Sequence, residues 1–132
     1  MTSYHWHRFS VAEAFERIQQ GENPWVAFGD FLDDWHRSQP EDRSALVQQA
    51  PGEARTEDEQ RWAALFAATV EMLCTKEQLP IPGWVTSPRY YLQEPWYPEA
   101  RTANLRRLQE ETTPETFKRH NVFSGDRILE RV

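Results

Sequence analysis

The stretch from Thr56 to Gln78 constrains the fold more than any other part of the chain. Trp62, Leu65, Phe66, Thr69, Val70 and Leu73 recur at the three-and-four spacing of one helical stripe. Ala63, Ala64, Ala67 and Ala68 fill the flanks with side chains small enough to permit tight contacts. A helix apolar on nearly every side belongs inside a molecule. Thr56-Glu-Asp-Glu59 reads as a capping box at its start, and the crowding of acids there suits the positive end of the helix dipole. The pattern predicts a central core helix from about Glu57 to Gln78.

What packs around that helix is largely aromatic. Six Trp, seven Phe and four Tyr stand against three Ile, so the core has to be filled by rings, and rings left outside it favour a binding surface. A chain of 132 residues is the size of one domain and buries roughly two-thirds of its unfolded surface. The lone Cys74 excludes an internal disulfide and fits a reducing cytosol. No apolar stretch is long enough to span a bilayer, and the first ten residues lack the apolar run of a secretory signal. The expectation is one cytoplasmic domain over residues 1–132, all-α or mainly α: a bundle of five to six helices with an N-terminal extension over 1–9.

The remaining helices are read from their punctuation. Ser10-Val-Ala-Glu13 is a capping box opening a helix with Val11, Ala14, Phe15 and Ile18 on one face, closed by Gly21. Asn23-Pro24 starts another, with Trp25, Val26, Phe28, Phe31, Leu32 and Trp35 as its apolar stripe. A third runs from about Glu41 to Gln49 with Ala45 and Leu46 inward. Prolines at 80, 82, 88, 95 and 98 forbid a continuous helix over 79–98, which becomes a long Pro/aromatic-rich loop. A helix returns from about Glu99 to Glu111. Thr113-Pro114 then repeats the cap-plus-proline start for a short helix to about His120, and Arg127–Val132 forms a last helical turn or short strand.

Several residues bear on chemistry. Asp30, Asp33 and Asp34, with Glu71, are the candidates for paired acids; the alternative is a solvated acidic stripe. His5, His7, His36 and His120 show no metal-ligand spacing and read as surface or capping groups, so neither a metal nor a cofactor is expected. Cys74 reads as a small buried hydrophobe rather than a nucleophile. There is no nucleophile elbow, phosphate loop or dinucleotide fingerprint, and an enzyme is not expected.

Charge is uneven. Residues 1–100 carry 8 basic and 16 acidic side chains, a balance of −8, whereas residues 101–132 carry 7 and 5, a balance of +2. An acidic body argues against nucleic acid as the main partner, because phosphate binding needs a concentrated basic face. The aromatic-proline segment has the composition of a protein interface. Trp84 and Trp96 are expected inward as anchors, with Tyr90, Tyr91 and Tyr97 partly exposed beside Arg89. Arg101, Arg106, Arg107, Lys118, Arg119 and Arg127, with Asn121, either frame a basic rim next to that patch or pair with the acidic body.

Two stretches carry a resemblance. Arg61-Trp-Ala-Ala-Leu-Phe-Ala-Ala-Thr-Val70, followed by Leu79-Pro-Ile-Pro-Gly-Trp84, Leu92 and Pro95-Trp96, is one; Thr113-Pro-Glu-Thr-Phe-Lys-Arg-His-Asn-Val-Phe123 with Leu129 is the other. Over roughly residues 60–132 the chain resembles a group of small helical bacterial domains, some of which follow a helix-turn-helix of the Xre type and accompany toxin-antitoxin-like modules. Residues 10–50 depart from a helix-turn-helix: they are acidic and place Trp25, Phe28 and Trp35 where a recognition helix needs polar side chains. The resemblance therefore implies a protein partner rather than DNA. The expected role is a protein-binding module, antitoxin-like or regulatory, acting through Trp84, Arg89, Tyr90, Tyr91, Tyr97, Arg106, Arg107, Lys118, Arg119 and Asn121. The alternatives are a nucleic-acid-associated regulator and a small enzyme built on an acid pair.

Overall fold

The computed structural model describes residues 8–126, 128 and 129. Ser10 begins the first helix, α1 (Val11–Gln19), with the reciprocal bonds of a full capping box: its hydroxyl accepts from the Glu13 amide and its own amide donates to the Glu13 carboxylate. Gly21 at φ 102° ends it. Asn23 caps α2 (Pro24–Arg37) through a bond from the Trp25 amide. Phe28, Phe31, Leu32 and Trp35 turn inward, but Val26 is exposed. Helix α3 (Pro40–Val47) is shorter than its pattern implied and buries Leu46 and Val47, while Ala45 lies outside. An eight-residue helix shows one narrow face, and Ala45 falls off it.

Helix α4 (Glu57–Lys76) is the centre of the molecule, with every residue from Trp62 to Glu71 buried. It stops two residues early, because Gln78 takes a left-handed φ of 58° and turns the chain away. Its cap is only half a box. Thr56 accepts from the Glu59 amide, but the Glu59 carboxylate accepts from the Arg55 amide and the Gln19 side chain instead. Those bonds hold the Glu59 carboxyl below its usual range and fasten the head of α4 to the end of α1.

The rings form the expected core. Phe66 is surrounded by Phe15, Phe28 and Phe31 at centroid distances of 6.4, 5.5 and 6.0 Å, all close to edge-on. Trp62 takes Trp25 on one side and Trp96 on the other, at 4.9 and 5.3 Å. Thus α1 and α2 pack on each other and, through these rings, on α4, while α3 touches α1. Two short 3-10 turns (Gly83–Thr86 and Pro88–Tyr90) and the last helices, α5 (Ala103–Thr112) and α6 (Glu115–Arg119), make up the rest. The all-α bundle is as expected, and its only departure among the described residues is an isolated parallel bridge between Trp96 and Val122. Among the same residues no helix is long and apolar enough to cross a membrane.

Two boundaries near the C-terminus differ from their expectation. α5 starts at Ala103 because Thr102 caps it, accepting from the Leu105 amide. Thr113 does not cap α6; its hydroxyl bonds back to the Gln109 carbonyl and receives the Gly125 amide. Of Arg127–Val132, only Ile128 and Leu129 lie among the described residues, in a turn packed on the core. The rest, including Arg127, lie outside them, as do His5 and His7.

Candidate functional site

Prolines 88, 95 and 98 keep residues 88–98 out of an α-helix, and beyond the 3-10 turn at Pro88–Tyr90 the backbone groups need distant partners. They find them on residues 117–123. Leu92 N–H donates to the His120 carbonyl at 3.2 Å, Trp96 N–H to Asn121 at 2.9 Å, and Phe123 N–H to Trp96 at 2.8 Å. Asn121, in the left-handed region at φ 66°, donates its side-chain amide to Leu92 O at 3.0 Å. The two predicted stretches are therefore clipped together.

His120 is the junction of this clip; it occupies the C-cap of α6, as a capping group would, but it is not a surface group. It is fully buried, with Nδ1 2.8 Å from the Tyr90 carbonyl and Nε2 3.1 Å from a Glu71 oxygen. A carbonyl only accepts, so Nδ1 carries a hydrogen. The second Glu71 oxygen takes the Arg119 guanidinium. Tyr91 stacks on the imidazole at 4.3 Å and 12°. One buried carboxylate on α4 thereby fixes α6, the Tyr90 backbone and the face of Tyr91. The Glu71–His120 pairing was not expected from the residues' patterns. Its one visible signal is a glutamate on a helix that is apolar all round, where a charge needs a buried partner.

Tyr97 extends the clip to α5. Its ring stacks on Phe123 at 5.2 Å, its hydroxyl donates to the Glu110 carboxylate, and Arg106 lies over its ring at 5.2 Å. That carboxylate pushes the phenol above its ordinary range. Arg106, Gln109, Glu110 and Thr113 thus mark the side of α5 turned to the body, through Tyr97 and the Gly125 loop. Asn104, Leu108 and Glu111 fall on the opposite side, with Leu105 on the flank between Leu108 and Gln109. No residue of α5 is buried, and Leu105 and Leu108 are 44 % and 52 % exposed. These leucines were missing from the expected site, although their spacing of three placed them on one face.

The ten expected residues divide between places. Tyr91, Tyr97, Arg106, Arg119 and Asn121 are joined by the clip, with Lys118 on α6 and Arg107 on the exposed surface of α5. Trp84 and Tyr90 are structural. Trp84 is half-buried and donates its indole N–H to the Val47 carbonyl at 2.9 Å, while Tyr90 packs on it at 5.3 Å and is buried, not partly exposed. That burial raises the Tyr90 phenol. Trp96 is a half-buried anchor on Trp62. Arg89 lines a separate trough of about 500 Å³ with Arg55, Thr56 and Gln60. Of the basic residues, Arg119 pairs with the body, whereas Arg101, Arg107 and Lys118 make no ion pair among the described residues.

The other chemical candidates are committed to the framework. Asp30 pairs with Arg17 at 2.9 Å; Asp34 is buried, not on a solvated stripe, and accepts the Phe9 amide at 2.7 Å. Glu71 lies with His120, not with these acids. His36 is exposed. Cys74 is buried, and burial with the nearby Glu77 charge pushes its thiol up to about 11. Among the described residues, no three His, Cys, Asp or Glu side chains are grouped to hold a metal ion. Compared with family models, curated proteins and solved structures, the chain matches none.

Proposed function

We propose that the chain is a cytoplasmic protein-binding module that works through α5 and the clip beside it. The observation carrying this reading is α5 itself. Ten residues of helix are capped at one end and tethered at the other, yet none is fully buried and two leucines stand largely in solvent. A helix this short is marginal alone, and helices ordinarily gain their stability by covering an apolar face. Tyr97 with Arg106, and Arg107, which has no ion pair among the described residues, supply the aromatic and arginine groups that interfaces favour.

Binding is preferred to catalysis because the acids that would pair are held by Arg17 and the Phe9 amide. The resemblance of residues 60–132 to helical domains of toxin-antitoxin-like modules makes a toxin-like protein encoded nearby the first partner to test, with an antitoxin-like or regulatory role. The test is a pull-down of the tagged chain from its native cytosol, with and without nuclease, beside the Leu105→Asp/Leu108→Asp variant. A stoichiometric protein that survives nuclease and is lost in the variant is the expected result. Capture that disappears with nuclease would transfer the role to nucleic acid, and equal capture by the variant would remove α5 from it.

A further inference from the structure

The charges of α5 run against its own dipole. Arg101 lies just ahead of the Thr102 cap, and neither an acid in the first turn nor a base in the last is present to complement the helix ends. Instead Glu110 and Glu111 occupy the last turn, where the helix already presents negative potential. Tyr97 answers Glu110. Glu111 faces outward on the same flank as Asn104, close to the Leu105–Leu108 stripe, and Arg101 has no ion partner among the described residues.

We infer that the exposed face of α5 pairs with α5 of a second copy, antiparallel across a two-fold axis. This rests on the reading of α5 as a binding element and names its first occupant. A two-fold axis between residues 106 and 107 sets Leu105 opposite the partner's Leu108 and the reverse, closing the apolar stripe on itself. The same operation carries the acidic end of one helix to the basic end of the other. Arg101 then lies level with Thr112 of the second copy, one residue from its Glu111 and within reach of that carboxylate, on both sides, and each misplaced charge lies beside the opposite helix terminus. A parallel pairing fails on the same grounds, since it sets Arg101 against Arg101 and Glu111 against Glu111. A ten-residue helix is about 15 Å long. Such a pair falls short of the roughly 1,200 Å² at which standard interfaces begin, so the association is weak and concentration-dependent.

Sedimentation equilibrium of the full chain from about 10 µM to about 1 mM tests this, a range that spans weak dissociation constants. The expected result is a shift from the 15.6 kDa monomer toward twice that mass. Leu105→Asp/Leu108→Asp should stay monomeric throughout; both side chains lie outside the core, so the bundle around α4 is left intact. Arg101→Glu should weaken association about tenfold, and Arg101→Glu/Glu111→Arg in one chain should restore it at low salt. A wild-type chain monomeric up to 1 mM overturns the pairing, and leaves the module reading to the pull-down, which scores a different partner. A dimer that ignores the leucine substitutions, or a double swap that fails to restore the loss, overturns it as well.

Discussion

At His120 both ring nitrogens lie opposite acceptors, and the acceptor on one side is a carboxylate almost as buried as the ring. Removing one partner leaves a buried polar atom of the other unsatisfied, which typically costs about 1–3 kcal/mol, whereas apolar replacement of both is often tolerated. His120→Leu is therefore expected to lose about that much stability, and Glu71→Leu/His120→Leu distinctly less, because Arg119 is half-exposed and can return to water. Urea unfolding of the wild type and both variants checks this; a double variant no better than the single one would mean that the pairing itself carries nothing. Cys74 gives a pH effect of definite sign. Its folded thiol, near 11, holds its proton above the ordinary value of 9.0, so between those limits the unfolded chain binds fewer protons. Its contribution is complete below pH 9 and is lost as pH rises toward 11, with a slope of at most about 1.4 kcal/mol per pH unit. Tyr90 titrates in the same sense at higher pH. The difference in urea midpoint between wild type and Cys74→Ala should therefore shrink as pH rises from 8 to 10.5; a constant difference would place the thiol in contact with water.

The elements divide by the range of the forces that shape them. α1, α2 and α4 were legible because their determinants are local: an apolar residue every three or four positions, and caps whose donor and acceptor lie within four residues. Where a local motif has a remote competitor, spacing alone does not decide the bond. Glu59 completes a box with Thr56 by spacing, but Gln19, 40 residues away, takes its carboxylate. Thr113 stands before Pro114 like a cap and is recruited by Gly125. The path of 79–98 was beyond reach for the same reason. Its prolines say what the segment cannot form, and its shape comes from bonds to Val47, His120 and Asn121. In the candidate site, composition brought out the aromatic and basic members, and nothing local brought together Glu71 and His120, 49 positions apart. α5 fell between the two cases. Its leucine spacing was plain, but that a helix would keep those leucines in solvent depends on how the whole chain closes.

On the scale of the molecule, stability is graded along the chain. Phe15, Phe28, Phe31 and Phe66 join α1, α2 and α4 around buried rings, and each large side chain so buried contributes roughly 1.5–3 kcal/mol. The clip depends on fewer buried groups, chiefly Phe117, Val122 and the Glu71–His120 junction. α5 has no buried side chain and is held by its Thr102 cap, by Tyr97 and by the Thr113 bonds at its end. Opening α5 therefore leaves the bundle intact, and its amides should exchange through local opening rather than global unfolding. Native-state hydrogen exchange of the dilute protein is expected to show Trp62–Leu73 protected to nearly the full unfolding free energy. The amides of Arg106–Thr112 should exchange at least about a hundredfold faster, a gap of about 2.7 kcal/mol. Destabilising the core with Phe66→Ala, which typically costs about 3–5 kcal/mol, should accelerate α4 while leaving α5 almost unchanged. If α5 accelerates in parallel with α4, the molecule opens as one unit and α5 is more firmly integrated than its exposure indicates. Independent exchange in α5 would make it the part of the chain whose order is completed by what docks there, so its protection should rise with protein concentration while that of α4 stays fixed.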